Sequence, residues 1–161
     1  MRMLVVLTLL CVGLVSNARA ELKVGEQAPE INARVWINTE AITLANSTKK
    51  IVVLEFWSTF CKPCVTLIPQ LNQIHAKYKD KGVILLGLTN EPPGLIKSFV
   101  SDNKIDFCIG AGSLSAKEYE VKSLPQAFVV APGGKIVWQG SPEKDFENAI
   151  EATLKATPSQ L

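Results

Sequence analysis

The sequence predicts an α/β domain with one central mixed β-sheet flanked by helices, and three observations carry that prediction. Two apolar, β-rich runs, Ile51–Trp57 and Val83–Thr89, are joined by a segment with helical spacing, which is the signature of a parallel strand–helix–strand crossover. Further on, Gln126–Ala131 and Lys135–Gln139 flank Pro132-Gly133-Gly134 and read as an antiparallel hairpin. Finally, 161 residues with 47% hydrophobic and 20% charged side chains suit a single domain with a packed core and exclude a largely disordered chain.

The elements follow in order. After Arg2, Met3–Ser16 is a short apolar run, and Ala18-Arg19-Ala20 places small residues where a signal peptidase cuts. Residues 1–20 are therefore expected to be a secretory signal peptide cleaved after Ala20, with residues 21–161 as the domain. The run is short for a spanning helix, which needs roughly 20 apolar residues. Bulky Leu10 also argues against acylation at Cys11. Arg2 and Arg19 account for the whole excess of 17 basic over 15 acidic residues. The remainder is formally neutral, which speaks against a nucleic-acid binder or a polybasic membrane patch.

Gly25 and Pro29 break the chain from Val24 to Ala33, and short extended pieces are expected at Arg34–Ile37 and Ala41–Leu44. Beyond the first β run, apolar residues recur at Val65, Ile68, Leu71, Ile74 and Tyr78, a helix closed by Gly82 and expected to kink at Pro69. Leu95, Ile96, Phe99 and Val100 give a second short helix, Asp106–Ile109 a short strand and Ala116–Tyr119 a helical turn. The last helix is expected to start near Ser141 as cap with Pro142 in its first turn, and to bury Phe146, Ala149, Ile150, Thr153 and Leu154.

Chemistry enters with the cysteines. Without the leader, Cys61, Cys64 and Cys108 remain. Cys61-Lys62-Pro63-Cys64 falls where a buried strand hands over to a helix. Backbone N–H groups at that helix start stabilise a thiolate on the first cysteine, and the second lies one turn in, within reach of a mixed disulfide. Pro63 stiffens the loop, and Lys62 adds positive charge beside the pair. A zinc site needs four ligands and finds only Cys108 and His75 to add. A disulfide closing so small a loop is a poor staple. The dithiol therefore reads as a redox site.

The run Phe56-Trp57-Ser58-Thr59-Phe60-Cys61-Lys62-Pro63-Cys64 resembles the active-site segment of the thioredoxin superfamily, within it most closely the exported TlpA/ResA/DsbE-type thiol-disulfide oxidoreductases. Val24–Pro29, Tyr119–Pro125 and Gly134–Val137 are similar to other segments of that subgroup, so the resemblance spans nearly all of the mature chain. Phe60 stands where the subgroup usually has Trp, and Gln126 where Thr is common. The resemblance implies a thioredoxin-like fold with an N-terminal extension and a central αβ insertion. It also implies a cis Leu124–Pro125 bond facing Cys61, with the Leu124 backbone pairing an extended substrate and Trp57 near the site.

By its chemistry Glu55 is the odd residue of an apolar strand, six positions before Cys61. A carboxylate there is costly unless protonated or hydrated, so it either reaches solvent or exchanges a proton with Cys64. Thioredoxin-like proteins often carry an acid at this offset. His75 reads as a helix histidine without a role, and Cys108 as a buried, inert thiol. The expected catalytic residues are thus Cys61, Cys64, Glu55 and Pro125. Trp57, Lys62, Pro63 and Leu124 are expected to bind substrate; no metal and no cofactor beyond the Cys61–Cys64 disulfide are expected. The expected function is reduction of disulfides in periplasmic or secreted partners, with a membrane thiol donor restoring the dithiol; cytochrome c maturation is one setting the subgroup suggests. The alternatives are a metal (copper) binding module or a thiol oxidase on the same fold. A peroxidase would use a different local motif.

Overall fold

The computed structural model describes residues 22–157, so the expected signal peptide lies outside the described residues. In chain order the elements are β1 (Val35–Ile37), β2 (Ile51–Phe56), α1 (Lys62–Tyr78), β3 (Val83–Thr89), α2 (Pro93–Asp102), β4 (Cys108–Ala111), α3 (Ser115–Glu118), β5 (Gln126–Val130), β6 (Ile136–Gly140) and α4 (Phe146–Ala156). A 3-10 turn, Lys79–Lys81, follows α1 and ends at Gly82, whose φ of 80° requires the left-handed region. The six strands form one sheet in the order β1-β4-β3-β2-β5-β6. β2 pairs parallel with β3, and β3 with β4, while β1–β4, β2–β5 and β5–β6 are antiparallel. The mixed sheet is therefore parallel at its centre and antiparallel toward both edges, as crossovers followed by a hairpin dictate.

Alternation along β2 builds two cores. Ile51, Val53 and, just past the strand, Trp57 face the core that takes in α1 residues Cys64, Leu67, Ile68, Leu71 and Ile74 and α4 residues Phe146 and Ile150. Val52, Leu54 and Phe56 face the other core, closed by Ala28, Ile31, Ile42 and Tyr119. Because both faces are covered, β2 is buried along its whole length and reads as a continuous apolar run. Helix α1 continues through Pro69.

The N-terminal extension crosses the second face. Gly25 N–H donates to Ile136 O (2.8 Å), Ala28 N–H to Gly134 O (2.8 Å) and, further along the chain, β1 pairs with β4 at the opposite edge. Tyr119 Oη donates to Pro29 O at 2.6 Å and fastens the strap midway. The stretch between β3 and Pro125, where the αβ insertion is expected, holds α2, β4 and α3.

Two expectations fail. Ala41–Leu44 is a loop whose backbone donors are taken by side chains: the Glu30 carboxylate accepts the N–H groups of Leu44 (2.7 Å) and Ala45 (3.1 Å), and Asn46 Oδ1 accepts that of Thr43 (2.9 Å). The last helix starts at Phe146, not at Pro142. Ser141 O only closes a turn with Lys144 N–H (3.2 Å), and Asp145 then reverses the chain at φ 54° so that Phe146 enters the core.

Candidate active site

The site grows from the C-terminal end of β2. Its last ladder contact is passed on when Trp57 N–H donates to Leu88 O (3.2 Å), and Cys61 N–H then closes a turn on Ser58 O (3.1 Å). Cys61 is the N-cap of α1, in extended conformation at φ −82° and ψ 93°. Its Sγ accepts the Cys64 N–H at 3.3 Å, so a thiolate formed there meets an unsatisfied backbone donor and the positive end of the helix. The first turn of α1 holds no acidic side chain to oppose that effect. Lys62 and Pro63 are exposed, as the first residues of the helix.

The two sulfurs form a disulfide with a Cα–Cα distance of 5.3 Å. They are not equivalent. Cys61 is half-buried, whereas Cys64 is 2% exposed and belongs to the core against α1. An outer sulfur within a partner's reach and an inner one sealed beneath it are the arrangement that attack and resolution require.

Glu55 lies on the Cys64 side of the sheet by the alternation of β2, and it is 1% exposed. Its Oε1 has no hydrogen-bond partner, and burial pushes its pKa up to about 8. Its neighbours across the sheet are Gly87 on β3 and Ala127 on β5, neither of which has a polar side chain. The carboxyl is therefore protonated at neutral pH in the disulfide form, a proton held in an apolar layer. The hydrated alternative for Glu55 does not hold. Trp57 is also buried, at 4% exposure, with its Nε1 unpartnered and standing 2.9 Å from where a side chain on Gly87 would begin. Trp57, expected among the substrate-binding residues, is thus buried within the core that includes Cys64.

Leu124–Pro125 is cis, with Leu124 40% exposed and β5 starting at the next residue. β5 pairs with β2 so that Gln126 lies beside Phe56, which brings the loop of Pro125 to the same end of the sheet as the dithiol. Phe60, one residue before Cys61, is 87% exposed. An aromatic ring this exposed beside a redox pair presents an apolar contact that the sequence marks only as a departure from the family pattern.

The remaining candidates lie elsewhere. His75 is on α1 with Nδ1 buried and unpartnered; burial lowers its pKa, with Lys79 adding to the effect against Asp106 and Asp80. Cys108 opens β4 as a half-buried free thiol whose pKa burial raises. Among the described residues no group of three or more His, Cys, Asp or Glu side chains could hold a metal ion, and no helix is long and apolar enough to cross a membrane.

One residue escapes the sequence reading. Glu91, 8% exposed, accepts hydrogen bonds from Thr59 N–H (2.8 Å), Thr59 Oγ1 (2.6 Å) and Thr89 Oγ1 (3.0 Å), tying the end of β3 to the turn before Cys61. Only an acid next to Pro92-Pro93 could have hinted at it, and that composition reads as an ordinary exposed turn.

Known proteins resemble this chain in sequence and fold. The family model described as AhpC/TSA matches residues 24–139. Thiol-disulfide oxidoreductase ResA of Bacillus thuringiensis subsp. konkukian is 33% identical over 141 residues, covering 86% of this chain and 81% of that protein. The protein of the same name from Halalkalibacterium halodurans is 30% identical, covering 74% of this chain and 69% of that one. A crystal structure assigned to a thiol:disulfide interchange protein DsbE of Chlorobium tepidum superposes with a TM-score of 0.73 at 26% identity, covering 83% of this chain and 99% of that one. With the strand-to-helix dithiol and the thioredoxin-like sheet both in place, the chain belongs to the AhpC/TSA family and, within it, to the thiol-disulfide oxidoreductases that its ResA and DsbE relatives represent.

Proposed function

We propose that Cys61 is the attacking thiol and Cys64 the resolving thiol of a reductase for disulfides in exported partner proteins. The observation that carries this reading is the asymmetry of the pair: the half-buried Cys61 Sγ accepts the Cys64 N–H at the start of α1, while Cys64 is 2% exposed. In the reducing direction the Cys61 thiolate attacks a partner disulfide, forms a mixed disulfide and expels one partner thiolate. Cys64 then loses its proton, attacks the Cys61 sulfur and expels the second thiolate. The partner gains two electrons and the chain is left with the Cys61–Cys64 disulfide. A membrane-bound dithiol donor returns it to the reduced state by the reverse exchange.

Glu55 is the proton station. With its pKa near 8 it is protonated while the disulfide is intact, so it can supply the proton that the Cys64 thiolate takes up on reduction. The ionised carboxylate left behind then accepts that proton when Cys64 resolves a mixed disulfide. Phe60, Pro63 and Leu124 supply an exposed apolar rim, and the Leu124 backbone suits pairing with an extended segment. Export, and with it a periplasmic or secreted site of action, rests on the leader sequence and its expected cleavage after Ala20.

The test is a pair of serine variants offered a model disulfide such as insulin. Reduced Cys64→Ser accumulates a mixed disulfide through Cys61 on non-reducing gels, and Cys61→Ser does not. The opposite pattern reverses the two roles. In the same preparation the wild-type couple is expected near the thioredoxin value of about −270 mV, and a value near about −120 mV makes the protein an oxidase.

A further inference from the structure

Thr59 is held from one side by a single group. Its N–H and its hydroxyl both donate to the Glu91 carboxylate, at 2.8 Å and 2.6 Å on separate oxygens. Glu91 is itself immobilised. Thr89 Oγ1 donates to it at 3.0 Å, its own N–H donates to Thr89 Oγ1 at 3.3 Å, and its carbonyl accepts the N–H of Gly112 at 3.0 Å, just past β4. The ends of two central strands thus hold one buried carboxylate, and that carboxylate holds the first inner residue of the turn Ser58–Cys61. Thr59 is two residues from the sulfur that caps α1.

We propose that Glu91 is a positioning residue for the dithiol: by clamping both donors of Thr59 it fixes the turn that delivers Cys61 Sγ to the Cys64 N–H. The proposal rests on the reading of Cys61 as the attacking thiol. The benefit of a helix start falls off within a turn, and small misplacements of a reacting atom are expensive. A turn free to rock moves the thiolate away from its donor, and the thiol becomes both less acidic and less reactive. An amide in place of the carboxyl keeps an acceptor and a donor for Thr59, so the clamp can be separated from the acid itself.

The reduced protein is alkylated with iodoacetamide between about pH 5 and pH 9, and each cysteine is followed by peptide mass spectrometry. Glu91→Ala is expected to slow alkylation of Cys61 about tenfold at neutral pH and to move its profile upward by about one pH unit. Glu91→Gln has an oxygen to accept the Thr59 N–H and an amide to donate to the Thr59 hydroxyl, so it recovers most of that loss. Thr59→Val keeps the N–H contact, loses the hydroxyl contact and leaves β3 untouched; it is expected to slow Cys61 by about threefold. Circular dichroism confirms that each variant is folded, and Thr59→Val alone decides if Glu91→Ala does not fold. Wild-type alkylation profiles in a folded Glu91→Ala or Thr59→Val, or a Glu91→Gln as slow as Glu91→Ala, overturn the positioning role. Alkylation of wild type at Cys64 in preference to Cys61 overturns the nucleophile assignment instead.

Discussion

A carboxyl group sealed into the face of a sheet without a partner destabilises the fold that contains it. The unfolded chain ionises Glu55 near pH 4.5, whereas the folded chain holds its proton until about pH 8. Across that window the native state binds the extra proton, so stability falls as pH rises and levels off above the folded pKa. At neutral pH the cost is about 3 kcal/mol. Glu55→Gln in the disulfide form should match wild type near pH 4.5 and exceed it by a gap that widens toward pH 8 in urea unfolding. The same variant should slow disulfide exchange, by about a hundredfold if the group transfers a proton in the reaction. A gap that is constant with pH means that the carboxyl titrates alike in both states. Glu55 was legible because a charge inside an apolar β run is an anomaly that only burial or chemistry explains. Glu91 was not, since its burial depends on Thr59 and Thr89, one of them 32 positions away in the chain.

Among the elements, β3 shows how closely the layer beneath the dithiol is packed. A methyl group at Gly87 would meet Ile109 Cδ1 at 2.8 Å, Trp57 Nε1 at 2.9 Å and Phe107 Cε2 at 3.1 Å. Three side chains from a strand and two loops would have to retreat together, so Gly87→Ala should cost about 1–3 kcal/mol. A shift of the urea midpoint checks it, and an unchanged midpoint shows that this layer yields. The strands and α1 were legible because their apolar periods run long enough to outweigh any single residue. The start of α4 was not. Ser141 and Pro142 do form the local turn their types favour, yet the helix waits for Phe146, whose burial beside Trp138 is worth more than a cap. Ala41–Leu44 has strand-like residues, yet the side chains of Glu30 and Asn46 take its backbone donors.

At the scale of the whole molecule, the strap made by residues 22–37 has a consequence for the order in which the fold is completed. Its hydrogen-bond partners are Gly134 and Ile136 at one edge and β4 at the other. A chain delivered N-terminus first therefore presents a segment whose docking sites follow much later, more than 70 residues on for β4 and more than 100 for Gly134 and Ile136. Closing so long a loop before its partners exist gains nothing, so the strap must wait while β2, α1 and β3 assemble from contacts nearer in sequence. In pulsed hydrogen exchange during refolding, the amides of Gly25 and Ala28 should gain protection after those of β2 and β3, and simultaneous protection would refute this order. Until the strap lands, the core of Phe56, Leu86 and Phe128 lacks the cover of Ala28 and Ile31, and Tyr119 alone stacks on its two phenylalanines. A segment made before any strand of the sheet is thus the final cover on the second core, and the unfinished intermediate is the form that most needs shelter from aggregation.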